Sequence, residues 1–318
     1  MKKSFKIWFF LTVWTPMIAH ADEAKLVSAL QNTYVACIGI DESLYDLKKM
    51  AGINTVITGV GTGFGIGATA VGIAKENIDK KIDILKLDKL RAIDTQRISS
   101  GIKETSNEQL DEFIAQSDIV IRTDTEKQTQ DSEISRLTAK SKSLGHWRTG
   151  LLFGNTATNV AGAIISSQNR VNSDLQTQID NCKQSVSALQ DATMQAKLNG
   201  LDITEAQSII DACKEYNYVD ISKINDRGRG ATISSAVGAG LGLTGTITSG
   251  IANSDQVRSQ TTDQGLRTEK EKNLNMASNV LAGASTVASA TATVFNATQI
   301  KAIKDVANVA ARCTGVLK

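Results

Sequence analysis

The sequence predicts an all-α protein whose long helices pack as an elongated bundle clamped by disulfides. Three observations predict it. The only proline of the 318 residues is Pro16, where average usage would place about 16, and helix interiors are where proline is least tolerated. Four stretches, Met50–Ala74, Thr149–Asn169, Gly230–Ser254 and Asn273–Ile300, carry no charged residue and are rich in Gly, Ala, Ser and Thr. Between them lie charged segments whose apolar residues recur at helical spacing, as in Ile78, Ile82 and Leu85, then Ile98 and Ile102.

Residues 1–21 have the layout of a cleavable secretory signal. Lys2, Lys3 and Lys6 precede an apolar run from Ile7, and Ala19-His20-Ala21 forms a small-x-small site. Cleavage after Ala21 removes Pro16 and leaves 32 Lys and Arg against 33 Asp and Glu. That balance points to neither nucleic acid nor an anionic membrane surface as a partner. The remaining chain divides into three regions: 22–148, with the first glycine-rich stretch (50–74) and charged helices; 149–229, with the second small-residue stretch and a helical hairpin; and 230–318, with paired small-residue helices. A degenerate repeat of small-residue segment and charged helix runs through all three.

Cys37, Cys182, Cys213 and Cys313 all survive cleavage. An even count in an exported chain predicts two disulfides, with three pairings available and free or metal-binding cysteines as the competing reading. A turn at Asn199-Gly200, followed by Thr204 and Gln207 spaced as a capping box, predicts a hairpin that pairs Cys182 with Cys213. Elimination then pairs Cys37 with Cys313.

Within the uncharged stretches, small residues recur every four positions. Gly59, Gly63 and Gly67 form one row, with Gly61 and Gly65 beside them. Gly150, Gly154 and Gly162 form the next, and Gly238, Gly242 and Gly250 the third; the fourth stretch uses Ser278, Ala282, Thr286 and Ala290. A step of four marks one winding helical stripe that lets backbones approach closely, and a seam of longer period than 3.6 predicts right-handed crossings. Two rivals are weaker. Gly63-Phe64-Gly65-Ile66-Gly67-Ala68 fits a dinucleotide-binding glycine pattern, but no alternation of strands and helices surrounds it and no acidic residue follows about 20 positions on. The alternation of Gly59, Gly61, Gly63, Gly65 and Gly67 would suit one face of a strand, yet the other stretches lack it.

No catalytic, cofactor-binding or metal-ligating set is predicted, and the chain reads as non-enzymatic. His146, the sole histidine after cleavage, has no second histidine with which to build a triad or metal site. Beside Trp147 and Arg148 it is expected on a surface, at a position suited to a membrane interface. In composition the four stretches resemble the glycine-zipper helices of bacterial envelope proteins and pore-forming toxins, a resemblance that implies association with membrane lipid and oligomeric or pore-like assembly. The expectation is an exported envelope protein held to a membrane by these helices. A soluble secreted or periplasmic bundle that binds a protein partner or a further copy is the alternative. No small-molecule substrate is expected.

Overall fold

The computed structural model describes the backbone of residues 19–101 and 111–317 and the side chains of 22–92 and 128–317. Most of the signal segment lies outside the described residues, as do the side chains of Ile98 and Ile102. The described chain is helical: α1 (Ala19–Cys37), α2 (Ile40–Gly101), α3 (Asp111–Gln168), α4 (Ser173–Leu198), α5 (Thr204–Cys213), a 3-10 turn (Lys214–Tyr218), α6 (Ser222–Asn253), α7 (Asp255–Arg258) and α8 (Glu269–Leu317). Among the described residues the only β-type pairing is an isolated bridge, Thr261 to Arg267.

The chain forms two compact units, each discontinuous in sequence. Unit 1 takes residues up to Lys49, Arg170–Asn225 and Ile300–Lys318; unit 2 takes Met50–Asn169 and Asp226–Gln299. They do not follow the three consecutive regions read from the sequence, because α2, α6 and α8 each contribute residues to both units.

Unit 1 has an ordinary apolar core. Ile40, Leu44, Ile179, Val186, Leu189, Tyr216, Ile224 and Ile303 are buried in it. α1 lies antiparallel to α4: Asn199 Nδ2 donates to Asp22, Thr33 Oγ1 to the Ser185 carbonyl, and Gln178 Nε2 to the Ile38 carbonyl. The buried positions of α4 run Leu175, Ile179, Cys182, Val186, Leu189, Thr193 and Ala196, steps of four and three that make one stripe. α1 turns into α2 through Gly39 at φ +85°, a left-handed conformation that a Cβ disfavours. α4 ends on Gly200 at φ +73°, with Gly200 N–H to Lys197 O at 3.1 Å and Leu201 N–H to Ala196 O at 3.0 Å. This is a Schellman cap, and it places the predicted turn where the sequence put it. The capping box does not form. Asp202, two residues earlier than Thr204, accepts from both the Thr204 N–H (3.0 Å) and its hydroxyl (2.7 Å), while Gln207 reaches forward to Asp211.

The disulfides join Cys37 to Cys182 and Cys213 to Cys313, which corrects the pairing read from the hairpin. The reason is height along the helices. At 1.5 Å per residue, Cys182 lies about 24 Å up α4 from Leu198, whereas α5 is ten residues long and carries Cys213 only about 14 Å from its start. α1 supplies the partner that α5 cannot reach.

Unit 2 is a four-helix bundle of α2, α3, α6 and α8. Neighbouring helices are antiparallel: α2 meets α3 through Asn54 and Ser166, α6 meets α8 through Gly238 and Ser285, and α8 meets α2 through Asn296 and Asn54. α3 meets α6 the same way, through Gly145 and Asn253. α3 and α8 run parallel, with Asn155 on Ser285 and Asn159 on Ser289.

Candidate functional site

The buried seam of unit 2 does not follow a step of four. In α2 the buried positions are Ala51, Asn54, Thr58, Gly61, Gly65, Ala68, Gly72, Lys75, Asp79 and Ile82, alternating steps of three and four. α6 repeats the spacing from Gly228 through Ala231, Ser235, Gly238, Gly242, Gly245 and Ser249 to Ala252, and α8 from Glu271 to Gln299. The mean repeat is 3.5, shorter than the helical 3.6. That is the spacing of left-handed, coiled-coil-like packing, and not the longer period on which the expectation of right-handed crossings rested.

The predicted seam glycines divide accordingly. A Cβ built on Gly59, Gly63, Gly150 or Gly250 would meet nothing within 4 Å, so these four are outside the seam. Gly67 and Gly154 touch Leu151 and Phe64 at ordinary to tight contact. Gly162, Gly238 and Gly242 are true seam positions: a Cβ on Gly162 would lie 2.8 Å from Thr58, on Gly238 3.0 Å from Asn159, and on Gly242 2.6 Å from the Thr156 hydroxyl. The closest backbone approach is at Gly65, which the rows placed second: a Cβ there would lie 3.1 Å from the Thr286 Cα. Since alanine is the better helix former and the space at Gly59 and Gly63 is open, Gly59→Ala and Gly63→Ala are each expected to raise stability by about 0.5–1 kcal/mol, read as a rise in the thermal midpoint by circular dichroism.

The seam is polar. Asn54 Nδ2 lies 2.5 Å from Ser166 Oγ and 3.0 Å from Asn296 Oδ1. Asn155 donates to Ser285 at 2.8 Å, Asn159 to Ser289 at 2.7 Å, and Gln299 to the Asn169 carbonyl at 2.8 Å. A small apolar layer interrupts this, Ala68, Leu152 and Ala282 with Leu151 against it. The outside is the reverse. Ile53, Val56, Val60, Ile66 and Ile73 of α2 are exposed, as are Phe153, Val160 and Ile164 of α3, Ile233, Val237, Leu243, Ile247 and Ile251 of α6, and Val280, Val287 and Val294 of α8. Two described stretches, Asp22–Ala92 and Glu269–Leu317, are long and apolar enough to cross a membrane by length and composition, and in each only 28% of the most apolar window is buried.

Charge collects just past the uncharged stretches. Lys75 Nζ lies 2.6 Å from Asp79 Oδ2 with both side chains buried, and Ser141 donates to the other oxygen of Asp79. Arg267 reaches Glu76 (3.4 Å), Asp79 (3.3 Å) and Asp83 (3.0 Å). Burial lowers the Lys75 pKa, with Asp79 opposing, and burial raises that of Glu271, with Lys75 opposing. Burial pushes Arg148 down to about 10. The predicted trio separates: Trp147 is 66% exposed while Arg148 is fully buried, and His146 and Trp147 line a surface cavity with Phe64 and Lys142. The buried charges and the asparagine ladder are what the sequence reading missed. Their signal is the set of Asn residues inside otherwise uncharged stretches.

In unit 1 the sulfurs of Cys37, Cys182 and Cys313 all lie within 4.8 Å of one another, fully buried. The two disulfides therefore form one sulfur cluster. Comparison with family models, with characterised proteins and with solved structures finds no match for this chain.

Proposed function

We propose that the protein is an integral membrane protein whose unit 2 crosses the bilayer four times, with the disulfide-bonded segments exposed on the side to which the chain is exported. The observation that carries this is the inverted polarity of unit 2: aliphatic side chains outside, amides and hydroxyls inside. In water such a bundle would expose its greasy face and bury groups that water would have solvated. In lipid the same arrangement is favourable. Small residues let helices approach, and side-chain hydrogen bonds join them. The uncharged stretches of α2, α3, α6 and α8 hold 25, 21, 25 and 28 residues, and about 20 suffice for the hydrocarbon core.

Topology adds support. Four crossings put 22–49, 170–229 and 301–317 on one side and 75–101, 111–148 and 255–272 on the other. Both disulfides join segments of the first set. So does the ion pair of Arg312 with Glu215. Lys81 with Glu133, Lys89 with Asp131, Lys142 with Asp255 and Arg267 with Asp83 join segments of the second. The cysteines thus share the oxidising side. Asn155, Asn159, Ser285 and Ser289 meet across the centre, so the reading is of a packed helical membrane unit that acts by contact, with no chemistry assigned.

The test is fractionation of the protein expressed with its own N-terminal segment. Retention in the membrane pellet after carbonate and urea washes is the expected result. Release into the soluble fraction as a disulfide-bonded species would overturn the reading and favour a soluble bundle whose aliphatic face is covered by a protein partner.

A further inference from the structure

We propose that Arg148, with Asn275 and Asn279 of α8, forms a binding site for a single halide ion, chloride under ordinary conditions, inside unit 2. The guanidinium is fully buried. One of its nitrogens, Nη2, donates to the Asn275 carbonyl at 3.3 Å, while Nε and Nη1 find no hydrogen-bond partner among the described residues. Among the described residues no carboxylate lies within ion-pairing distance of it. The acid that acts on it from further off is Glu76, already engaged by Arg267 and Lys80. Lys75, equally buried, shows the contrast, because it has Asp79 at 2.6 Å. A buried cation with no adjacent counter-charge and two unused donors is costly to keep, and an anion on those donors removes the cost.

The neighbours are donors as well. Lys75 Nζ lies 3.3 Å from Asn275 Oδ1, which fixes the orientation of that amide and leaves its Nδ2 as a donor without a partner. The point that a Cβ on Gly72 would occupy is 3.1 Å from Arg148 Nε and 3.2 Å from Asn279 Cγ. Asn279 therefore stands against the guanidinium, and its Oδ1 also lacks a partner. An asparagine amide has nearly the same shape either way round, so turned about it adds its own N–H to the set. The weakly hydrated guanidinium suits a weakly hydrated ion. Size selects within the class: a Cβ on Gly72 would already clash with Asn279 Oδ1 and lie 3.1 Å from Arg148 Nε, so a monatomic anion suits these donors better than phosphate, sulfate or a carboxylate.

The inference is independent of the membrane reading, because a buried unpaired guanidinium calls for a counter-ion in any solvent. It is tested on the purified full chain, in detergent or in buffer as fractionation dictates. Thermal unfolding is followed in sodium chloride, bromide and gluconate at equal ionic strength. The midpoint is expected to rise saturably with chloride or bromide over gluconate, as for any ligand of the folded state. Arg148→Gln should abolish that difference. Asn275→Asp supplies a fixed carboxylate beside Arg148, and should hold the midpoint in gluconate near the wild-type value in chloride with no further halide effect. A wild-type midpoint indifferent to halide would mean that water satisfies the guanidinium and would overturn the site. So would a halide effect that persists in Asn275→Asp, and that variant decides the matter should Arg148→Gln fail to fold.

Discussion

Leucine at position 65 is expected to disrupt unit 2, with a loss of about 3 kcal/mol or more, above the usual range for overpacking. The basis is that the obstruction is backbone: a Cβ at Gly65 would stand 3.1 Å from the Thr286 Cα and against its hydroxyl, and a helix main chain cannot rotate away as a side chain can. The matched control is Gly63→Leu, two positions earlier. A Cβ on Gly63 meets nothing within 4 Å, so that change should alter stability by about 1 kcal/mol or less. Chemical unfolding of the two variants beside wild type, followed by far-ultraviolet circular dichroism, reads the difference. Equal losses would show that α2 and α8 do not approach at this level.

The second large effect concerns the sulfur cluster. Replacing both Cys37 and Cys182 by serine opens a loop of sequence separation 145, and replacing Cys213 and Cys313 opens one of 100. Loop-closure entropy sets a ceiling of about 5 kcal/mol for each, and measured losses typically run 2–5 kcal/mol. Single substitutions should behave differently from these pairs. Cys213→Ser leaves the Cys313 thiol beside the Cys37–Cys182 bond, since the three sulfurs lie within 4.8 Å. The Cys313 thiolate can attack Cys182 Sγ, forming Cys182–Cys313 and releasing Cys37 as a thiolate. Peptide mapping under non-reducing conditions should find a mixture of bonds in Cys213→Ser and only Cys37–Cys182 in the Cys213→Ser, Cys313→Ser double variant. A single unscrambled bond in Cys213→Ser would show that burial prevents exchange.

The helical class was legible because its signals are local: a near absence of proline and small residues at helical spacing. The face was not. Glycine occurs at both 59, 63, 67 and 61, 65, and having no side chain it carries no sign of which row is inside. Its neighbours carry the difference. Ile53, Val56, Val60, Ile66 and Ile73 mark one side of α2 and Asn54, Thr58 and Lys75 the other, and the decision between them depends on which solvent lies outside. The disulfide pairing failed for a different reason: whether two cysteines meet across a turn depends on how far along its helix each one sits, and Cys182 stands about 24 Å from the end of α4 whereas Cys213 is only about 14 Å along α5.

α8 keeps one register from Glu271 to Cys313, yet what it buries changes along its length. Up to Gln299 the inward positions are Asn275, Ser278, Ser285, Ser289 and Asn296, with Ala282 and Ala292 between them; from Ile303 they are Ile303, Val306 and Ala310. Outward positions change in the opposite sense, from Val280, Val287 and Val294 to the exposed Lys301, Lys304 and Asp305. The rules of substitution therefore exchange faces near residue 300. An aspartate walked along α8 one position at a time would be rejected on the outer face at 280, 287 and 294 and accepted on that same face at 304 and 308. The residue at which tolerance reverses marks, to within a helical turn, where the surroundings of the helix change.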